Sequence, residues 1–338
     1  MDIKTNELAR QSPPGADLDF GLLWEFEASL DPLAPESSAI PCRVLGYGEI
    51  STVFQIQADG LHDMAYKRMS IFETPGELEA YLVPYNEYIR LLSGEIGLQL
   101  PAHGYAAGVN TQGRPILYII QEQLDPASIG SQAIHQLPRE QTLLLVERVL
   151  EEIHKVWEFN QRRTGREVAI DGQISNWSIQ GFSGQHPKFD MGMPLRYLDT
   201  STPLLRIAAE EQLDPELFLR SAPSFLVWII RLLFLDDVMN RYYDFRKVAI
   251  DLVANFYKEG LPELIPDLIA VANTFLGENA ARMGLTIAPI EEREVRAYYR
   301  EDALIWWLYL SMRRVDRFLH RFVLRRAYPY ILPGKIKR

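Results

Sequence analysis

Between Arg43 and Met69 the chain runs in short β-prone stretches. Thr52-Val53-Phe54-Gln55-Ile56-Gln57 stops before Asp59-Gly60, a hairpin-type turn, and Met64-Ala65-Tyr66-Lys67 returns. The period then changes. Leu78, Tyr81, Leu82, Tyr85, Tyr88, Ile89 and Leu92 recur at three- and four-residue intervals, which predicts a helix over 77–92. Pro84 falls inside it and either kinks it or marks its start. Two further strands are expected at 98–101 and 116–121. These pieces together predict a small antiparallel sheet carrying one helix.

Past residue 125 the pattern becomes helical. Leu144, Leu145, Arg148, Val149, Glu152 and Val156 predict a helix over 141–159. A strand-rich interruption covers 168–200, with its turn at 181–184. Asp214 is placed to cap a short helix opening at Pro215, and further helices are expected over 225–242, 245–257, 262–276 and 291–324. Residues 1–39, with Pro13, Pro14, Pro32 and Pro35, read as an extended or loosely packed N-terminal extension. Phe20-Gly21-Leu22-Leu23-Trp24 is its one stretch able to anchor it to the body. The expected fold class is therefore α+β, with an extension over 1–39, a sheet lobe over 40–125 and a larger helical lobe over 126–338.

Composition narrows the function classes. A chain of 338 residues, 47% apolar and 24% charged, has ample material for a globular core. Its net charge of −10 argues against a general nucleic-acid binder. The single cysteine, Cys42, forbids an internal disulfide. Residues 1–16 lack an apolar signal core, and the greasiest run, 225–235, is interrupted by Arg231 and falls short of the ~20 apolar residues that a membrane span needs. A cytoplasmic protein is expected. The charge is uneven, however: residues 311–338 hold nine Lys or Arg against one acid, Asp316, a local +8 that leaves −18 on the remainder. Such a tail, with Phe318, Phe322, Tyr328 and Tyr330, suits either a peripheral membrane or protein contact or a closing amphipathic helix. Oligomeric state is not legible.

Four polar anchors carry candidate chemistry. Gly46 and Gly48 lie in Gly46-Tyr47-Gly48-Glu49-Ile50-Ser51-Thr52-Val53, a turn between strand-like runs where backbone could approach phosphates. Fourteen residues after Val53 stands Lys67, and Glu87 follows twenty residues later on the expected helix, as an acid that could hold the lysine's flexible stem. Asp171 and Asn176 form Asp-x-x-x-x-Asn after the long helix: the acid can take a hydroxyl proton and the amide can ligate magnesium. Asp199 ends a strand-like stretch, where a carboxylate suits a hard cation or simply caps the turn. Taken singly, each of these is also an ordinary turn or surface residue; their order and spacing make the set informative. The histidines His62, His103, His135, His154, His186 and His320 show no metal-ligand spacing.

This ordered set resembles the protein-kinase-like superfamily, nearer its aminoglycoside and choline phosphotransferase branch than ordinary protein kinases. The likeness spans 44–199. It implies a two-lobed fold, ATP and Mg2+ as cofactors, and a small-molecule or other non-standard hydroxyl or amine acceptor. By that likeness Gly46, Gly48 and Ser51 form the phosphate loop and Val53 covers the base. Lys67 binds phosphate with Glu87 as its helix partner, and Gln121, Glu122 and Gln123 form a hinge reading adenine through backbone groups. Asp171 is the catalytic acid–base, and Asn176 and Asp199 are metal ligands. The sequence also departs from the family. Ala169 and Ile170 precede Asp171 where the family places His with Arg or Gly. Gln173 stands where many members set a cationic or imidazole side chain, and Thr200-Ser201 replaces Phe-Gly. Ala222-Pro223-Ser224 only partly echoes Ala-Pro-Glu. These departures leave open a nucleotide-binding pseudoenzyme, a scaffold or regulator that keeps the pocket without efficient turnover.

Overall fold

The computed structural model describes residues 6–48, 50–214, 216–219, 236–282 and 286–323, together with Arg325 and Ile331. The N-terminal part is built on one six-stranded antiparallel sheet. Its strands are β1 (Asn6–Gln11), β2 (Cys42–Tyr47), β3 (Ser51–Ile56), β4 (Met64–Met69), β5 (His103–Val109) and β6 (Pro115–Glu122), in the spatial order β1-β5-β6-β4-β3-β2. Side chains alternate between its two faces, as a strand requires. Phe54, Ile56, Tyr66, Tyr118 and Ile120 point to one face, where helix α1 (Phe20–Ser29) supplies Leu23, Trp24 and Phe26. Met69, Leu117 and Ile119 point to the other and meet helix α2 (Pro75–Arg90) through Leu78, Tyr81, Leu82 and Tyr85. A capping box formed by Thr74 and Glu77 sets the start of α2, and Pro84 is accommodated inside it rather than opening it.

Two readings of the N-terminal half need correction. Residues 6–29 are not a loose leader: β1 is the sheet's edge strand beside β5, and α1 packs into the core on one face. Gly104 makes the β1 junction possible, because a Cβ there would overlap the Gln11 carbonyl oxygen and approach the Pro13 nitrogen to 2.7 Å. The strand expected at 98–101 is also absent. Gln99 makes one isolated bridge to Arg196, and the strand proper begins at His103.

The buried Glu27 explains why α1 stays fixed. Both Arg68 donors, Nε and Nη2, reach its carboxylate at 2.7 Å, while the Tyr118 hydroxyl donates at 2.6 Å and the Asn110 amide at 3.1 Å. A buried charge pair with all these lone pairs occupied is the arrangement in which desolvation is offset.

The C-terminal part contains α3 (Gly130–Ala133), α4 (Arg139–Arg162), β7 (Arg166–Val168), β8 (Trp177–Ile179), β9 (Leu195–Tyr197), β10 (Leu205–Ile207), β11 (Glu210–Glu211), α5 (Glu216–Leu219), α6 (Asp236–Tyr242), α7 (Phe245–Lys258), α8 (Ile265–Arg282) and α9 (Glu292–Phe318). Asp214 caps the short α5, its Oδ1 accepting from the Glu216 amide at 2.9 Å. Helices α4, α7 and α8 share a core with the loops around β7 to β9. Of the helix expected over 225–242 only 236–242 is described; Ala222-Pro223-Ser224 also lies outside the described residues. Arg313 of α9 and Ile331 reach back to the sheet, beside Ile50, Ser51, Thr52 and Ser70. The architecture is α+β, a sheet lobe followed by a mainly helical lobe, with the site described below between them.

Candidate active site

The strand register places four of the anticipated residues on one face of the sheet. Gly46 pairs with Val53, Val53 with Lys67, and Lys67 with Ile119. Ala65, two residues before Lys67, shares that face and lies opposite Gln121. Val53 and Ala65 thus form a half-buried apolar patch beside the lysine. A bulge between Val44 and Gly46 lets β2 turn over, and the Gly48 amide closes the turn on the Ser51 carbonyl at 2.9 Å. Glu49 lies outside the described residues.

Lys67 reaches across the lobes. Its Nζ lies 2.8 Å from Asp199 Oδ1 and 2.7 Å from Ser201 Oγ, and the Ser201 hydroxyl itself donates to Asp199 Oδ1 at 2.8 Å. Burial alone would raise the Asp199 carboxyl, but Lys67 and Ser201 outweigh it and hold the group below the usual carboxylate range.

The expected Glu87 partner is wrong in this structure. Glu87 sits on the outer side of α2, paired with Arg90 at 2.8 Å and Arg166 at 3.1 Å. The helix addresses the site with tyrosines instead. The Tyr81 hydroxyl donates to the Ser201 carbonyl at 2.6 Å, Tyr85 lies against Thr200, and the Tyr88 hydroxyl donates to the Ala169 carbonyl at 2.8 Å. In the sequence these three count only as apolar positions of a helical repeat. Their hydroxyls, all on the buried face, were the missed signal.

Asp171 and Asn176 are brought to the same place. β8 and β9 form a two-stranded hairpin in which Trp177 faces Tyr197. Asn176 precedes one strand and Asp199 follows the other, and the Leu198 amide ties the two ends by donating to the Asn176 carbonyl at 2.8 Å. The Asn176 side-chain nitrogen donates to the Asp171 carbonyl at 3.2 Å, which leaves its oxygen as the ligand atom. The Asp171 amide donates to the Tyr197 hydroxyl at 3.2 Å, and Asp171 Oδ1 accepts from the Gln173 amide at 3.0 Å. Next in sequence, Gly172 passes between α4 and α7. A Cβ there would lie 2.7 Å from Val248 Cγ1 and 2.8 Å from Ile153 Cδ1, so the loop's path excludes any side chain. Ala169 and Ile170 are core residues, buried where the resemblance implies polar ones.

Burial and then the neighbouring Asp199 charge push the Asp171 carboxyl up to about 6, against the opposing pull of the Gln173 amide, Lys258 and Asn176. That value suits a group asked to accept a proton near neutral pH. Lys258, at the end of α7, was not anticipated: it lies 87 residues beyond Asp171 with no motif around it. Its Nζ stands 3.4 Å from Gln173 Oε1, which sets a cation of α7 beside the position where the resemblance implies one.

Gln121 is better described as a strut than as a hinge. Its side-chain nitrogen donates to the Leu198 carbonyl at 3.0 Å and to Thr200 Oγ1 at 3.2 Å. The amides of Glu122 and Gln123 are engaged by the carbonyls of Ala102 and Asp63, and the Glu122 side chain pairs with Arg196. Of the backbone groups expected to read adenine, these two amides are therefore already in use.

The donor set fits a hard divalent cation, since Asp199 and Asn176 offer oxygens from two adjacent loops. Among the described residues no cluster of three or more His, Cys, Asp or Glu is arranged for a metal.

Comparison with known proteins adds a family. A model described as a family of unknown function, DUF6206, matches residues 35–317, which includes every element from β2 to nearly the end of α9. The chain belongs to DUF6206. No curated protein matches this DUF6206 member. Among solved structures it is similar to WaaP in complex with acyl carrier protein, at 17% identity over 79% of this chain and 99% of that one, with a TM-score of 0.32. It is also similar to the GDP complex of aminoglycoside 2'-phosphotransferase-IIIa, at 11% identity over 71% and 94% of the two chains, with a TM-score of 0.32. No described helix of the DUF6206 chain is long and apolar enough to cross a membrane.

Proposed function

We propose that the chain is an ATP- and magnesium-dependent phosphotransferase acting on a small molecule or another non-standard hydroxyl or amine acceptor. One observation carries this reading: Lys67 from the sheet lobe and Asp199 from the helical lobe meet at 2.8 Å, with Asp171 and Asn176 held beside them by the β8–β9 hairpin. Three segments, around Lys67, Asp171 to Asn176 and Asp199, converge at one interlobe point. Their chemistry is what phosphoryl transfer requires: a cation for phosphate oxygens, a base, and oxygen ligands.

In this reading the β2–β3 turn covers the phosphates, Val53 and Ala65 cover the base, and Lys67 binds phosphate oxygens. Asp199 and Asn176 would hold magnesium, which when bound neutralises charge on the phosphates. Asp171 accepts the acceptor's proton, its raised pKa making it a competent base near neutral pH. Lys258, beside Gln173, opposes negative charge developing next to Asp171.

A second reading, a nucleotide-binding pseudoenzyme, is favoured by one finding: no acid of α2 takes Lys67, whose ammonium is held by Asp199 and Ser201 instead. The two readings separate on Asp171→Ala. A phosphotransferase loses ATP consumption in this variant while keeping its magnesium-dependent thermal shift with ATP. A pseudoenzyme shows the shift but no consumption in either protein. If ATP with magnesium shifts neither protein, both readings fail.

A further inference from the structure

Helix α9 packs one side against α7, with Tyr299 stacked on Tyr257 at 5.1 Å and Glu294 paired with Arg246 at 2.7 Å. Its other side carries large apolar groups in the open. Leu304, Trp307, Val315 and Phe318 are 60, 64, 48 and 57% exposed, and Phe322, just past the helix, is 64% exposed. Steps of three, eight, three and four residues keep these positions on one stripe of a helix. Arg300 and Arg314 are exposed on the same stripe, and Arg317 borders it. The nearby acids are turned to other partners: Glu301 pairs with Arg241, and Asp316 lies 3.3 Å from the His320 ring and is 14% exposed. An apolar stripe of this length on a soluble surface marks an interaction site.

We infer that this face of α9 docks on an anionic lipid surface, with Leu304, Trp307, Val315 and Phe318 entering the headgroup layer while Arg300, Arg314 and Arg317 pair with lipid phosphates. Bulky aromatic and aliphatic groups interleaved with arginines are the composition that lies in a membrane interface. Charge selects the occupant. Residues 311–338 carry +8 and the rest of the chain −18, so an anionic surface attracts this segment, repels the remainder, and thereby sets one orientation. A second copy is disfavoured by the same numbers, because a twofold contact through this face would bring two +8 segments together. Within 311–338 the described residues are 311–323, Arg325 and Ile331, and the contact is assigned to the helical face alone.

The test uses the full chain with vesicles of phosphatidylcholine alone and of phosphatidylcholine mixed equally with phosphatidylglycerol. Co-sedimentation with the mixed vesicles only, weakening as salt rises and accompanied by a blue shift of tryptophan emission, is the expected result. The variant Arg314→Glu/Arg317→Glu should bind the mixed vesicles more than about tenfold less well. Trp307→Ser/Phe318→Ser should lose the blue shift while melting at the wild-type temperature. If the apolar variant does not fold, the arginine variant alone decides. Absence of binding to the mixed vesicles overturns the inference, as does undiminished binding by the arginine variant. It is equally overturned if the chain forms a dimer, or a complex with an acidic protein, that the same substitutions dissolve while vesicle binding is nil.

Discussion

The Tyr81 hydroxyl donates to the Ser201 carbonyl across 2.6 Å, and through that bond α2 reaches the residue that holds both Lys67 and Asp199. Tyr81→Phe removes the donor and leaves a buried carbonyl without it, at a cost of about 1 kcal/mol in stability. The loss should also weaken ATP affinity, because Ser201 is freed to shift. Chemical denaturation and nucleotide titration of the one variant check both effects.

Glu87 and Lys67 should separate cleanly. Glu87→Ala disturbs an outward-facing arginine pair and is expected to leave ATP affinity at the wild-type value. Lys67→Ala removes a charged donor at the interlobe contact and should weaken ATP by about tenfold or more. Isothermal titration of both variants decides; a large effect from Glu87→Ala would restore it as the lysine's partner.

The pH profile follows from Asp171. A base must be ionised, so kcat should rise as pH climbs through about 6 and then level off. The effect on stability runs the opposite way. An acid whose folded pKa is raised binds its proton more tightly when folded, so its contribution favours the folded chain as pH drops from 7 toward 4. A rate profile with no inflection near 6 would remove Asp171 as the base.

Glu27 gives the reverse case. Burial by itself would raise its carboxyl, but Arg68 and the hydrogen bonds from Tyr118 and Asn110 hold it below the usual carboxylate value of 4.5. Its stabilisation is therefore present at neutral pH and lost as pH falls through that depressed value. Glu27→Ala leaves Arg68 buried and uncompensated, which should cost about 3–5 kcal/mol by denaturant titration.

The hairpin between β10 and β11 offers a gain. Ala208 and Ala209 both sit in left-handed backbone, at φ 52° and 65°, where a Cβ is unfavourable. Ala209→Gly removes that penalty at an exposed turn and should raise stability by about 1 kcal/mol, read as a higher melting temperature.

Sequence periodicity revealed the elements whose side chains face one core. The repeat in 77–92 and that in 141–159 became α2 and α4, and the alternation around Val53 and Lys67 became β3 and β4. Lys67 lies inside β4, whose alternation was legible, whereas Asn176 and Asp199 flank the β8–β9 hairpin, where polar residues interrupt apolar runs. Periodicity misread residues 6–29, since prolines between two short elements hide a strand whose partner, β5, is about a hundred residues away. It misassigned Glu87 because helical spacing gives a face only when the register is known, and the tyrosines of α2 compete for the same inward positions. Lys258 was beyond reach: its place beside Gln173 depends on how α7 packs, which no local pattern encodes.

The wedging of Gly172 between Ile153 and Val248 ties the placement of Asp171 to the packing of the helical core. Enlarging or shaving either side chain would shift the loop that carries the acid. Heat inactivation should accordingly coincide with loosening of the α4–α7 seam.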